Sequence, residues 1–130
     1  MKVKLAYGRD GLEIRVPDAA EVLETRFVPG LPDEAAAIRA ALRKPIGSPP
    51  LAELVKPGDR VVVVHTDITR ATPNERILPV LLAEIESAGV ARGDITLLNG
   101  LGTHRRQTEA ELRAMLGEWV VDNYRCLQHD

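Results

Sequence analysis

Aromatic residues are scarce: one Trp, two Tyr and one Phe in 130 residues. Four rings cannot build the stacking platform on which single-stranded nucleic acid is held. Charge of one sign is missing too, since 17 basic side chains face 19 acidic ones for a formal charge of −2. No electrostatic footprint for a phosphate backbone results. With Cys126 the single cysteine, no internal disulfide can form and a reducing compartment is the default, so the chain reads as cytoplasmic. Apolar runs end after a few residues, far short of the roughly 18 a transmembrane helix needs. Met1 to Asp10 reaches charged and turn residues too early for a secretion signal. What remains is one ordinary globular domain, long enough to bury roughly two thirds of its unfolded surface without a disulfide or structural metal. A small molecule or another protein surface is the expected partner.

The pattern along the chain changes once. Lys2 to Tyr7 and Leu12 to Val16 alternate apolar and polar residues around Asp10-Gly11, which predicts a β-hairpin. Residues 17–31 are a mixed connection with a turn at Pro29-Gly30. Asp33 to Lys44 is Ala-rich and helical, the Pro-rich stretch 45–50 breaks the chain, and Leu51 to Val55 allows a short helix. From Lys56 the order becomes strand, loop, helix. Arg60 to Val64 is a continuous β-branched run, which predicts a strand buried on both faces. Thr72-Pro73-Asn74-Glu75 reads as a capping box with Thr72 as cap, opening a helix with Ile77, Leu78, Leu81, Leu82 and Ile85 on one stripe. Ile95 to Leu98 is the next strand, and Thr108 to Glu111 is a second capping box that opens a helix ending at Gly117. Trp119 to Leu127 holds the last strand. The fold class is therefore α/β, an open and largely parallel sheet of βαβ units over residues 56–130 with helices on its faces, preceded by an N-terminal β-hairpin. The strands around Val61–Val64 and Ile95–Leu98 are expected to be parallel, because βαβ crossovers are right-handed and pack back onto the same sheet.

In such sheets ligands bind outside the carboxyl ends of the strands. That rule selects residues 65–70, 99–106 and 128–130, and each segment contains one of the chain's three histidines: His65, His104 and His129. Histidine moves protons near neutral pH. Asp67-Ile68-Thr69-Arg70 places a carboxylate, a hydroxyl and a guanidinium before a helix N-terminus, where an anion is favoured. An Asp67–Arg70 ion pair that only orders the loop is the plainer alternative. Gly100 to His104 is a Gly-rich strand exit with neither the dinucleotide fingerprint nor the P-loop ending. No Cys-x-x-Cys or His-x-x-x-His spacing occurs, so no self-sufficient metal site is expected. Cys126, inside a strand, reads as a small core residue.

Asp67-Ile68-Thr69-Arg70 before a Pro-led helix, then Gly102-Thr103-His104-Arg105 before Thr108-Glu109-Ala110-Glu111, and the terminal His129-Asp130 resemble the N-terminal domain of the nickel-dependent lactate racemase family. The resemblance covers nearly the whole chain. Two positions depart from the family pattern: Ala71 stands where Pro is common, and Gln128 where Asn is. The resemblance implies a 2-hydroxy acid racemase or epimerase that works by hydride transfer to a nickel pincer nucleotide while a histidine takes the substrate hydroxyl proton. It makes His104 catalytic and substrate-binding, Arg70 a cofactor and substrate ligand, and Asp67 and Thr69 cofactor-binding. The family's cofactor-tethering lysine, nickel-ligating histidine and second catalytic histidine lie further along a longer chain, so this piece is expected not to catalyse alone. The expected partners are a small 2-hydroxy acid and the C-terminal remainder of the same protein, without nucleic acid or membrane.

Two rival readings accompany this one. The first is a catalytically silent module that holds a nucleotide or carboxylate anion at Arg70. The second, an oligomerisation domain, requires a large exposed apolar patch, against which the low aromatic content argues. The enzyme reading requires that Asp67, Arg70 and His104 converge on one cleft, and at least one of His65 and His129 is expected to be structural.

Overall fold

The computed structural model describes residues 1–129. The hairpin is present as β1 (Lys2–Leu5) and β2 (Leu12–Arg15), antiparallel with Val3 opposite Ile14. Helix α1 (Glu34–Arg43) starts where Asp33 accepts a hydrogen bond from the Ala36 amide at 2.8 Å, and α2 (Leu51–Leu54) is one short turn. Then come β3 (Val61–Thr66), α3 (Asn74–Ser87), a single 3₁₀ turn and β4 (Ile95–Gly100). Helices α4 (Glu109–Leu116) and α5 (Glu118–Asn123) lead to β5 (Arg125–Gln128).

Strands β3, β4 and β5 form one parallel sheet in that order. Val61 sits opposite Ile95, and Leu97 lies between Val63 and Cys126. These inward rows meet Leu78, Leu82 and Ile85 of α3, Leu116 of α4 and Val120 of α5 to form the core. The α3 stripe follows helical spacing, as its apolar positions dictate. Glu84, buried on the same helix, is held to α1 by a two-pronged bond from Arg43 at 3.0 and 2.8 Å. That guanidinium keeps the Glu84 carboxyl below its ordinary range.

The sequence and the structure part in three places. Strand β3 is covered on one face only: Val62 and Val64 are 57% and 67% exposed, because all three core helices pack on the opposite side. Thr72 does not cap α3. Pro73 occupies the cap position instead, its carbonyl accepting from the Arg76 and Ile77 amides at 3.1 Å, and that shift leaves Thr72 one residue too early for its hydroxyl to reach the first turn. Residues 118–123 are helical and the last strand begins at Arg125. Val120 and Tyr124, one turn apart, both turn into the core, while Glu118 and Asp122 reach the same Arg113 guanidinium at 2.6 and 2.8 Å. Helical spacing satisfies both sets at once. The second capping box forms as read, with Thr108 and Glu111 each accepting from the other's amide.

Candidate functional site

Two loops leave the carboxyl ends of adjacent strands and face each other. After β3 the chain turns at once: the Asp67 carbonyl accepts from the Arg70 amide at 3.2 Å, and Asp67 Oδ1 accepts from the Thr69 amide at 3.2 Å and the Thr69 hydroxyl at 2.7 Å. Asp and Thr are the residues whose short polar side chains make such a turn on their own backbone. After β4 a second turn closes with the His104 amide donating to the Leu101 carbonyl at 3.0 Å. Gly102 sits in it at φ +59°, a conformation that costs glycine little and other residues more.

The second turn brings His104 back over the first. His104 Nδ1 bonds Asp67 Oδ2, so the Asp67 carboxylate is shared between Thr69 and His104. The Thr69 hydroxyl, followed by the His104 ring, holds the Asp67 carboxyl below the ordinary carboxylate range despite its burial. Asp67 is buried, whereas the His104 side chain stays 42% exposed. A cleft of about 340 Å³ opens between the loops, lined by Thr66, Asp67 and Arg70 on one side and by Gly100 to His104 on the other.

Asp67, Arg70 and His104 therefore line one cleft, and Thr69, bonded to Asp67, stands beside it without lining it. The Asp67–Arg70 ion pair is not made. Arg70 is exposed on the rim, its guanidinium bonded to no described residue. His65 is not in the cleft: it points into the core side of β3, its Nδ1–H donating to the Thr66 carbonyl at 3.0 Å, and burial pushes its pKa down. His129 is exposed and meets the site through its backbone amide, which donates to the Asn99 carbonyl at 3.0 Å. Asp130 lies outside the described residues. Arg105 is turned away from the cleft onto Glu111 at 2.8 and 2.9 Å, which pulls the Glu111 carboxyl down to about 2. Among the described residues no three His, Cys, Asp or Glu side chains converge to hold a metal ion, and no helix is long and apolar enough to cross a membrane.

The Asp67–His104 pair was not legible as a pair. The signal lay in the register: Thr66 sits opposite Gly100, so the residues just beyond each are neighbours, and a four-residue turn at Leu101 returns His104 to Asp67.

The fold and the order of these motifs are those of one family of domains, as comparison with known proteins shows. The family model described as the lactate racemase N-terminal domain matches residues 7–130. The lactate racemase of Thermoanaerobacterium thermosaccharolyticum is 30% identical over 132 residues, which takes in 98% of this chain and 31% of that protein. That of Lactiplantibacillus plantarum is 37% identical over 93 residues, 71% of this chain and 22% of the relative. The solved lactate racemase apoprotein from T. thermosaccharolyticum superposes with a TM-score of 0.74 at 30% identity, covering 100% of this chain and 30% of that one. The chain belongs to the lactate racemase N-terminal domain family. It spans less than a third of the length of either relative.

Proposed function

We propose that this chain is the cofactor- and substrate-binding part of a 2-hydroxy acid racemase or epimerase, with His104 as the base for the substrate hydroxyl. The observation that carries this reading is the Asp67–His104 pair at the mouth of the cleft. With Asp67 ionised, Nδ1 of His104 keeps its proton to donate to the carboxylate, and Nε2 is left with the lone pair. A hydroxyl lying against Nε2 gives up its proton there, and Asp67 stabilises the imidazolium that forms. Asp67 thus acts through His104, as a positioning residue. Thr69 fixes Asp67 by donating its hydroxyl hydrogen, and its oxygen remains able to accept from a ligand.

Arg70 suits an anion. Its fork is uncommitted and stands just ahead of the α3 N-terminus, which fits a substrate carboxylate or the phosphate of a nucleotide cofactor. The family resemblance implies a nickel pincer nucleotide, whose chemistry when bound is to accept the hydride from C2 of the 2-hydroxy acid. The residues present fit its anionic part through Arg70. The described cleft offers no ligand set for nickel, so the metal's protein ligand would come from the remainder of a longer protein. That remainder would also cover the open face of the sheet where Val62 and Val64 lie. A single cysteine fits a cytoplasmic setting.

The test is racemisation of lactate and related 2-hydroxy acids by the intact, cofactor-loaded protein, followed by polarimetry, with His104→Ala alongside. Loss of turnover with cofactor retained is the expected result. Unchanged turnover in His104→Ala would sink the assignment, and no turnover in the unaltered protein alongside tight nucleotide binding would favour the silent module.

A further inference from the structure

Beneath the cleft runs a row of polar side chains where the sheet's pattern calls for apolar ones. The inward positions of β4 are Ile95, Leu97 and Asn99. Asn99 lies opposite His65 on one side and Gln128 on the other, so the last inward row across all three strands is His65, Asn99, Gln128. Asn74 opens the buried stripe of α3, one turn before Leu78, at the N-terminal end of the helix that follows β3. Gln107 closes the other side, its amide donating to Gln128 Oε1 at 2.6 Å.

These groups are deeply buried and poorly partnered. His65, Asn74, Asn99 and Gln107 are 7%, 4%, 0% and 6% exposed. His65 Nε2, Asn74 Nδ2, both amide atoms of Asn99 and Gln107 Oε1 have no hydrogen-bond partner among the described residues. Leaving such atoms dry costs roughly 1–3 kcal/mol apiece, which is why buried polar atoms in folded proteins nearly always find a protein or water partner. The chemistry of the set names the ligand. Burial pushes the His65 pKa down and so favours the neutral ring, and because Nδ1–H donates to the Thr66 carbonyl it is Nε2 that carries the lone pair. Two amide groups offer hydrogens, and one ring nitrogen and two carbonyl oxygens accept them. An anion would find no cation here. A metal ion would find no free carboxylate among the described residues here, since that of Asp67 is already taken by Thr69 and His104. A small neutral molecule that both donates and accepts is what the set fits.

We propose that this row encloses at least one ordered internal water, bonded to His65 Nε2 and the Asn99 amide, and that the water braces the Asp67 turn from below. Asp67 is the next inward position after His65 along the same strand direction, so a fixed layer under His65 fixes where the Asp67 carboxylate meets His104. The proposal rests on the functional reading only in taking that turn as a wall of the site; the water itself is tested without any activity.

High-resolution or neutron diffraction from the intact protein is expected to show a buried water at about 2.7–3.2 Å from His65 Nε2, with Asn99 as a second partner. Direct hydrogen bonds between His65 and Asn99 with no water between them, or an empty void, would overturn it. The bracing is read by hydrogen exchange at the Thr69 amide. His65→Leu is expected to speed that exchange about five- to tenfold, and His65→Gln, which keeps an acceptor, to restore most of the protection. Equal exchange in the two variants would reject the positioning role. If His65→Leu does not fold, diffraction from the unaltered protein still decides whether the water is there. A protein that shows the water but no racemisation would leave this inference standing and the functional reading fallen.

Discussion

Asp67 and His104, 37 positions apart, share one hydrogen bond across the cleft, and the buried carboxylate rather than the exposed ring is the better-held partner. Thr69 secures the Asp67 side chain through two further bonds. The pair is therefore a histidine aimed by a fixed carboxylate, and its removal should be read in kcat rather than in binding.

Asp67→Asn keeps the shape of the pair but removes the charge that settles which ring nitrogen bears the proton. Turnover of the intact protein is expected to fall by about 100- to 10,000-fold with KM little changed. A loss seen only in KM would show that Asp67 binds ligand instead. Because the folded carboxyl lies below its ordinary value, the pairing is at full strength above the ordinary carboxylate range and fades as pH falls through the depressed value. The acid limb of the wild-type rate profile should accordingly not report Asp67.

Arg70→Ala deletes a guanidinium that no described residue needs, so folding should be unaffected. Retention of cofactor or substrate should drop tenfold or more, since charge-assisted hydrogen bonds are each worth about 1.5–3 kcal/mol. Arg70→Lys should recover only part, because a point charge lacks the two-pronged geometry. Titration of each variant with 2-hydroxy acid and with nucleotide separates the two anions Arg70 suits.

Glu111 gives a pH signature independent of activity. Its carboxyl is pulled to about 2 by Arg105 and the Thr108 amide against an ordinary value of 4.5. A depressed acid stabilises the fold above its unfolded value and loses that contribution as pH falls through the folded one. Glu111→Gln should be less stable than wild type at neutral pH, and the gap should close between about 4.5 and about 2. Thermal unfolding across that range checks the sign.

Val64→Thr tests whether the bare sheet face is covered in the longer protein. The substitution keeps the β-branched shape, and an exposed site tolerates it within about 0.5 kcal/mol. In the intact protein, packing over Val64 would raise the cost to about 1–3 kcal/mol, because the hydroxyl would be buried without a partner. Equal effects on the intact protein and on residues 1–130 produced alone would show that the face stays open.

The sequence pattern carried the element order and the carboxyl-edge map because both rest on periodicity and on turn residues, which are local. Parallel pairing of β3 and β4 followed from the crossover rule alone. The misreadings have local causes of a different kind. The valine run in β3 looks the same whether one face or both are covered, since β-branched residues suit either. The Thr72 cap failed where one residue of register decides the outcome, and the stretch Trp119 to Leu127, read as holding the last strand, enters it only at Arg125. Asn99, by contrast, sat in plain view among apolar neighbours; what hid it was that alternation assigns a face and says nothing of what a polar side chain meets there.

Both walls of the cleft, Thr66, Asp67 and Arg70 on one side and Gly100 to His104 on the other, leave the carboxyl ends of β3 and β4, the two strands of the single unit β3–α3–β4. The hairpin makes its main contacts within itself, and none of residues 1–55 lines the cleft. The reactive edge is thus assembled from a contiguous stretch whose own crossover helix supplies the packing, through Leu78, Leu82 and Ile85 on Ile95 and Leu97. The hairpin of residues 1–16 can fray, lengthen or be replaced while the distance between Asp67 and His104 stays what β3, α3 and β4 make it.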